Sequence, residues 1–106
     1  MTINIIHKGL EVTPAIRVYV EEKMGSLEKF MGAVDYLDVE VGMSTHHHQK
    51  GEVFLCKVNV TVGGEVVHIE REEEDLYKAI DKVRDHLRET LAQAKKRHED
   101  ARQGAA

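Results

Sequence analysis

Hydrophobic and polar residues alternate along three stretches of the chain, a pattern typical of strands with one buried face. These stretches cover residues 37–43, 54–62 and 65–70. A short apolar run at residues 3–7 predicts a further strand near the start. Gly63-Gly64 separates two of the strands and favours a tight hairpin, because both glycines can adopt positive φ. We therefore expect an antiparallel sheet of three hairpin-connected strands, which the first strand joins through a right-handed crossover.

Two other segments repeat their hydrophobic residues every three or four positions, which predicts amphipathic helices. The first should begin at Pro14, since proline is tolerated at the first helical position, and end near Gly32. The second should begin after Asp75 and run to about Arg102, followed by a flexible tail at residues 103–106. The buried stripes consist of Ile16, Val20, Met24, Leu27 and Met31 in the first helix and of Leu76, Ile80, Val83, Leu87, Leu91 and Ala94 in the second. The order β-α-β-β-β-α predicts an α+β fold, with two helices side by side on one face of a four-stranded sheet.

The composition indicates one small, acidic, cytoplasmic domain. The chain has 106 residues, of which 42% are hydrophobic, enough for a single core over residues 1–102. No stretch approaches the roughly 20 apolar residues of a membrane span, and the first residues do not resemble a secretory signal. Cys56 is the only cysteine, so an internal disulfide is excluded and a reducing compartment is expected. The 15 Lys and Arg against 19 Asp and Glu argue by themselves against a nucleic-acid partner.

One face of the second predicted helix departs from this acidic balance. Its narrow basic sector contains Arg84, Arg88, Lys95 and Arg102, together with Tyr77. The segment from Asp75 to Arg102 holds eight basic and six acidic residues. A basic ribbon beside an apolar stripe suits binding along a phosphate backbone. The alternative is a solvated helix with opposite charges side by side, each pair contributing about 0.2–0.5 kcal/mol.

The first predicted helix contributes a second set of cations, Arg17, Lys23 and Lys29. Lys23 falls inside the apolar sector, so its methylene groups should cover the core while its ammonium emerges at the edge. Snorkelling alone accounts for this position. A further hypothesis places the ammonium in a groove between the two helices, opposite the cations of the second helix. Two basic rows facing one groove would bind a folded RNA backbone by shape and charge.

A histidine cluster offers a competing hypothesis of metal binding. The run His46-His47-His48 lies in a predicted inter-strand loop, and imidazoles are good zinc ligands. His68 and Glu52 do not stand at a recognised spacing for the remaining ligands, so an exposed polar hairpin tip is the simpler interpretation. The sequence contains no catalytic triad, P-loop or dinucleotide-binding pattern, and Cys56 is expected to be a small buried hydrophobe. We therefore expect neither enzyme activity nor a cofactor, with metal binding as an alternative.

Five segments, taken together and in order, carry a resemblance to a known family. Residues 10–17 (LEVTPAIR), 19–23 (YVEEK) and 27–30 (LEKF) are similar to the first helix of ribosome hibernation-promoting factors, a family that includes protein Y. Gly63-Gly64-Glu65 and residues 75–81 (DLYKAID) are similar to the later hairpin and helix start of the same family. The resemblance extends over nearly the whole chain and is closest to the short members.

The resemblance implies both a fold and a function. The family has the β-α-β-β-β-α fold and is topologically close to double-stranded-RNA-binding domains. Its members bind the small ribosomal subunit near the mRNA and tRNA channel and inhibit translation by steric occlusion under stress or in stationary phase. The implied partners are therefore the small subunit and its rRNA. Short members either assist another hibernation factor, which would be a further partner, or inactivate single ribosomes. A general module for double-stranded RNA remains the alternative.

The candidate rRNA-binding residues come from two arguments. The resemblance implies Arg17, Lys23, Lys29, Lys78, Lys82 and Arg88. The charge pattern of the second helix adds Arg84, Lys95, Lys96 and Arg97. Ser26 in the first helix stands where lysine is common in the family. Two positions of the second helix also depart from the family, because His86 stands where lysine is common and Glu89 where arginine is common. We expect Arg84 and Arg88, with Lys23 on the first helix, to make the contacts that those two positions lack.

Overall fold

The computed structural model describes residues 2–31, 36–44, 53–62 and 65–104. Within these ranges, four strands and three helical segments form in the order β1 (Thr2–Lys8), α1 (Pro14–Gly25), α2 (Glu28–Met31), β2 (Tyr36–Met43), β3 (Phe54–Val62), β4 (Glu65–Glu73) and α3 (Leu76–Gly104). This order confirms the predicted α+β fold, with the first helix divided into α1 and α2. No helix in these described ranges is long and apolar enough to cross a membrane.

The strands form one mixed sheet in the order β1-β2-β3-β4. The first strand runs parallel to β2, and the other neighbours are antiparallel. A single apolar row crosses the whole sheet, since Ile5 lies opposite Val39, Val39 opposite Val58 and Val58 opposite Ile69. The alternation along each strand places such rows on one face, and this face is the buried one. Val62 pairs with Glu65, and the predicted Gly63-Gly64 turn lies outside the described residues.

Both long helices bury their apolar stripes against this face of the sheet. The packing places α3 over β3 and β4, and α1 against β1 and α3. The fully buried helical side chains are Val20 and Met24 in α1 and Ala79, Ile80, Val83, Leu87 and Leu91 in α3. Each buried leucine or isoleucine contributes about 1.5–3 kcal/mol to the free energy of unfolding. The opposite face of the sheet has no helical cover among the described residues.

The first helix differs from the single helix predicted to end near Gly32. The first part begins as expected, with Oγ1 of Thr13 accepting a hydrogen bond from N of Ile16 at 3.2 Å. It then ends at Gly25, because Oγ of Ser26 bonds the carbonyl of Lys23 at 2.6 Å and N of Leu27 bonds the carbonyl of Met24 at 3.0 Å. The second bond closes a tighter, 3₁₀-type turn before α2 begins. Leu27 remains fully buried, so the apolar stripe continues through the interruption.

The boundaries of the last strand and the last helix also differ from the predicted ones. The last strand extends to Glu73, three residues beyond the predicted end, and Asp75 caps α3 by accepting a hydrogen bond from N of Tyr77 at 2.9 Å. The last helix continues to Gly104, past the end predicted near Arg102, and residues 105–106 lie outside the described residues. Ala94 is half-buried, and Leu91 is the last fully buried side chain described in α3. From Leu91 to its end the helix therefore continues about 20 Å beyond the core, at about 1.5 Å per residue.

Candidate RNA-binding surface

A polar cluster bridges α1 and α3. The hydroxyl of Tyr19 donates a hydrogen bond to Oδ1 of Asp81 at 2.6 Å. Nζ of Lys23 lies 3.4 Å from the same oxygen. The predicted position of the Lys23 ammonium, next to the second long helix, is therefore confirmed. We refer to Tyr19, Lys23, Tyr77 and Asp81 as the inter-helix cluster.

Two aromatic rings complete the inter-helix cluster. Tyr19 and Tyr77 meet edge to face, with ring centroids 4.8 Å apart and planes at 87°, a favoured geometry for aromatic pairs. Nζ of Lys23 lies 5.3 Å from the centroid of the Tyr19 ring, within cation–π range. The hydrogen bond to Asp81, and secondarily burial, raises the pKa of Tyr19 from 10.0 to about 12. The phenol of Tyr19 therefore keeps its proton further into the alkaline range than an ordinary tyrosine does.

Asp81 changes the charge expected in the groove. The sequence predicts two basic rows facing each other. In the structure, however, the Lys23 ammonium forms an ion pair with the carboxylate of Asp81 on α3. Arg84 is also compensated, because its Nε donates to Oδ1 of Asp85 at 2.7 Å. Its side chain is only 20% exposed. An RNA phosphate that contacts Lys23 or Arg84 must therefore compete with a neighbouring carboxylate.

Arg88 is a predicted contact that remains available on this helix. It is exposed, and among the described residues it makes no ion pair. It lies one turn after Arg84, on nearly the same side of α3. Its guanidinium therefore keeps its full charge for a phosphate.

The flank of α3 that faces β4 holds further charged side chains. Lys82 donates a hydrogen bond to Oε1 of Glu73 in β4. Nη2 of Arg71 lies 3.1 Å from Nδ1 of His86. An open depression begins at this flank and extends around the solvent side of α3, and we call it the β4 depression. Its charged and histidine lining residues are Arg71, Lys82, Asp85, His86, Arg88 and Glu89.

Arg71 is a candidate that the sequence analysis missed. A signal was present, because the strand alternation places Arg71 opposite Cys56, on the helix side of the sheet. An arginine at that position of an edge strand must extend past the helix to reach water. The partnership with His86 needed the tertiary structure, since 15 positions separate the two residues.

The remaining predicted residues lie apart from the inter-helix cluster. Arg17 pairs with Glu21 on α1 at 3.9 Å, and Nζ of Lys29 lies 5.1 Å from the ring centroid of Phe30. Lys78 is exposed near the start of α3. The last three are exposed on the part of α3 beyond the core: Lys95, Lys96 and Arg97. The structure therefore divides the predicted set into separate groups along the helices.

The structure also bears on the competing chemistries. Cys56 is fully buried, as expected, and burial raises the pKa of its thiol to about 12, so it is not a nucleophile at neutral pH. Within the part of the chain that the structure describes, no group of three His, Cys, Asp or Glu side chains could hold a metal ion. The run His46-His47-His48 lies outside that part, so the metal hypothesis stays a prediction.

Comparisons with known proteins agree with the resemblance. A family model described as Sigma 54 modulation protein / S30EA ribosomal protein matches residues 3–99. A ribosome hibernation promoting factor of Pseudomonas putida is 36% identical over 109 residues, covering 100% of this chain and 98% of that protein. One of Azotobacter vinelandii is 35% identical over 106 residues, covering 98% and 92%. The crystal structure of the Thermus thermophilus protein Y N-terminal domain matches with a TM-score of 0.69 and 33% identity, covering 88% of this chain and 98% of that one. This chain therefore belongs to the Sigma 54 modulation protein / S30EA ribosomal protein family, together with ribosome hibernation promoting factors and protein Y.

Proposed function

We propose that this protein is a ribosome hibernation factor that binds the small ribosomal subunit near the mRNA and tRNA channel. It inhibits translation by occupying that channel, without covalent chemistry, and it acts in the cytoplasm under stress or in stationary phase. The observation that carries the proposal is the match to ribosome hibernation promoting factors over the whole chain. Short members of the family imply another hibernation factor as an additional partner.

The distribution of charge supports contact with rRNA through the helices. The exposed cations Arg88, Lys95 and Lys96 are all on α3. On the uncovered face of the sheet, Nζ of Lys57 lies 3.7 Å from a carboxylate oxygen of both Glu40 and Glu70. Carboxylates on that face repel phosphates, so RNA should approach from the helix side.

The proposal is tested by co-sedimentation of the protein with purified small subunits across a series of salt concentrations. We expect binding that weakens as salt increases, because phosphate contacts release counterions. Lys23→Glu and Arg88→Glu should each weaken binding by about tenfold or more. Lys8→Glu is the matched control, since it makes the same charge change at an exposed position at the end of β1. Circular dichroism of each variant checks that the fold is kept.

Two outcomes would contradict different parts of the proposal. If the intact protein does not sediment with small subunits even at low salt, the proposed ribosome binding is refuted. Unchanged binding by both variants would keep the function but refute the assignment of the helix face. Steric occlusion has its own test, because bound protein should reduce the binding of an mRNA and initiator tRNA to the same subunits.

A general module for double-stranded RNA is the second candidate, favoured by the topology that the family shares with such domains. Competition with a free RNA duplex distinguishes the two. A ribosome-specific factor should stay on small subunits when duplex is in excess, because shape complementarity adds to the phosphate contacts. Equal affinity for duplex and subunits would favour the general module.

A further inference from the structure

A row of three charged side chains crosses the uncovered face of the sheet. Lys57 on β3 lies between Glu40 on β2 and Glu70 on β4, because these residues are directly opposite one another in the antiparallel ladders. Nζ of Lys57 is 3.7 Å from a carboxylate oxygen on each side, and Nε2 of His68 is 3.7 Å from the same oxygen of Glu70. One lysine therefore serves two carboxylates, and we call Glu40, Lys57 and Glu70 the acidic row.

The surroundings of the acidic row add negative charge and apolar surface. Asp38 and Glu72, on the same face, accept hydrogen bonds from neutral groups, an amide and a hydroxyl. Ile6 lies directly beside Glu40 in the neighbouring strand and is 43% exposed. Among the described residues, three exposed large hydrophobic side chains belong to this face: Ile6, Tyr36 and Val66. The face therefore suits a partner whose cations have apolar stems.

The same chain carries cations of this kind on the solvent side of α3. Arg88 and Lys95 are both exposed, and among the described residues neither makes an ion pair. Seven positions separate them, so they lie on nearly the same side of the helix, about 10.5 Å apart along its axis. From Arg88 to Arg97 the helix has four cations against one carboxylate, that of Glu89. This part of α3 is therefore complementary in charge to the uncovered face.

The spacing of the two cations also matches that of the two carboxylates. Directly opposite residues of antiparallel strands are about 4.5–5.5 Å apart, so Glu40 and Glu70 are about 10 Å apart across β3. A helix that crosses the strands at a steep angle can place Arg88 over one carboxylate and Lys95 over the other. Ala92 then faces the central lysine of the acidic row, and its small side chain leaves room for that lysine.

We propose that the uncovered face of the sheet binds the solvent side of α3 in a second copy of this chain. Arg88 and Lys95 of one copy contact the carboxylates of the acidic row in the next, and their methylene stems cover Ile6. The two surfaces differ, so the contact is heterologous and repeats from copy to copy instead of closing as a two-fold dimer. Because exposed ion pairs contribute little each, the assembly forms at high protein concentration and low salt.

Self-association and the proposed function compete for the same cations. Arg88 and Lys95 are both proposed rRNA contacts, so a copy whose α3 lies on another sheet cannot also place them on RNA. The assembly therefore holds the protein in a form that does not bind ribosomes, and small subunits should dissociate it. Only this competition rests on the proposed function, because self-association involves no ribosome.

Sedimentation equilibrium of the full chain, across about 0.01–1 mM protein, tests the contact. At low salt we expect a weight-average mass that rises with concentration past that of a dimer. At about 1 M salt, where charges are screened within about 3 Å, the mass should fall to that of the monomer. The double variant Arg88→Glu, Lys95→Glu should be monomeric at low salt as well.

A variant with the acidic row reversed provides the matched test from the other surface. Glu40→Lys, Lys57→Glu and Glu70→Lys together keep both cross-strand pairs with opposite signs, so circular dichroism should show an unchanged fold. This variant should also be monomeric. An equal mixture of it with the helix variant should assemble, because the acidic helix of one then meets the basic row of the other. Glu22→Lys, at an exposed position on α1, makes the same net change in charge as the reversed row and should associate like the wild type.

The results separate this inference from the proposed function. A wild type that is monomeric at every concentration in low salt refutes the inference, as does association that either variant leaves unchanged or a mixture that stays monomeric. The reversed row keeps Arg88 and Lys95, so that variant should still bind small subunits. Binding to small subunits without self-association refutes this inference alone, whereas self-association without binding refutes the proposed function alone.

Discussion

Tyr19 and Asp81 join the two long helices through one short hydrogen bond, from the phenol hydroxyl to Oδ1 at 2.6 Å. They lie 62 positions apart in the chain, and the same carboxylate oxygen is 3.4 Å from Nζ of Lys23. One carboxylate therefore positions both a phenol and an ammonium of α1. The orientation of Lys23 in the groove is set by α3 rather than by its own helix.

The titration of Tyr19 should reveal this hydrogen bond. One of the three tyrosines should ionise at about pH 12 in the folded protein, because the bond to Asp81 favours the neutral phenol. Ultraviolet absorbance of the phenolate during alkaline titration measures this. Tyr19→Phe keeps the ring against Tyr77 and should remove that late transition.

The raised pKa of Tyr19 also predicts how the free energy of unfolding changes at alkaline pH. The pKa of the phenol is about 12 in the folded state and 10.0 ordinarily, so its contribution is fully present below pH 10 and is lost as the pH rises towards 12. Urea unfolding should show a steeper loss of stability over that range for the wild type than for Tyr19→Phe. Parallel curves for the two proteins would contradict the hydrogen bond.

Asp81→Asn should release Lys23 for RNA. The substitution removes one negative charge next to the ammonium, so binding to small subunits should tighten by about three- to tenfold at low salt. The free energy of unfolding should fall by no more than about 1 kcal/mol, because the ion pair is partly exposed and the amide oxygen can still accept from Tyr19. Asp38→Asn, on the uncovered sheet face, removes the same charge and should leave binding unchanged. Weaker binding by Asp81→Asn would show instead that Asp81 holds Lys23 in its productive position.

The part of α3 beyond the core should contribute to affinity without contributing to stability. Lys95, Lys96 and Arg97 are exposed and follow the last fully buried side chain described in that helix. Replacing all three with Gln should lower the salt slope of ribosome binding by up to about two. The free energy of unfolding should change by less than about 0.5 kcal/mol. An unchanged salt slope would mean that this part of the helix does not contact RNA.

Two glycines should respond to alanine in opposite directions. A Cβ on Gly42 would lie 2.7 Å from the carbonyl oxygen of its partner Lys8 in β1, so Gly42→Ala should destabilise the protein by about 1–3 kcal/mol. A Cβ on Gly25 would meet nothing within 4 Å, so Gly25→Ala in α1 should stabilise it by about 0.4–1 kcal/mol. Urea unfolding measures both. A neutral effect of Gly42→Ala would contradict the close parallel pairing of β1 with β2.

The fold could be predicted because its signals are local. Period-two alternation in β2 and β3 and helical periodicity in α3 each require only neighbouring residues to be compared. The less accurate predictions concern boundaries, where tertiary contacts override local preference. Ser26 ends α1 by bonding the carbonyl of Lys23, and β4 continues to Glu73, whose carboxylate meets Lys82 on α3.

The candidate site was predicted only in part. The place of Lys23 between the helices followed from its position in an apolar sector, and the structure confirms it. The carboxylate of Asp81 beside it was not foreseen, because a helical wheel shows the sides of one helix but not what a second helix brings to them. Arg71 was overlooked for a similar reason, since its partner His86 belongs to another element.

The sequence by itself determined the α+β class, the buried faces and the family, because these depend on the order of residue types along the chain. The tertiary structure alone decided which charges remain available. Ion pairs and hydrogen bonds depend on distances of a few ångströms between elements that are far apart in sequence. Asp81 thus compensates Lys23, whereas Arg71 meets the His86 ring and makes no ion pair among the described residues. The charge of an RNA-binding surface is a property of such pairings, not of the number of basic residues in the helix.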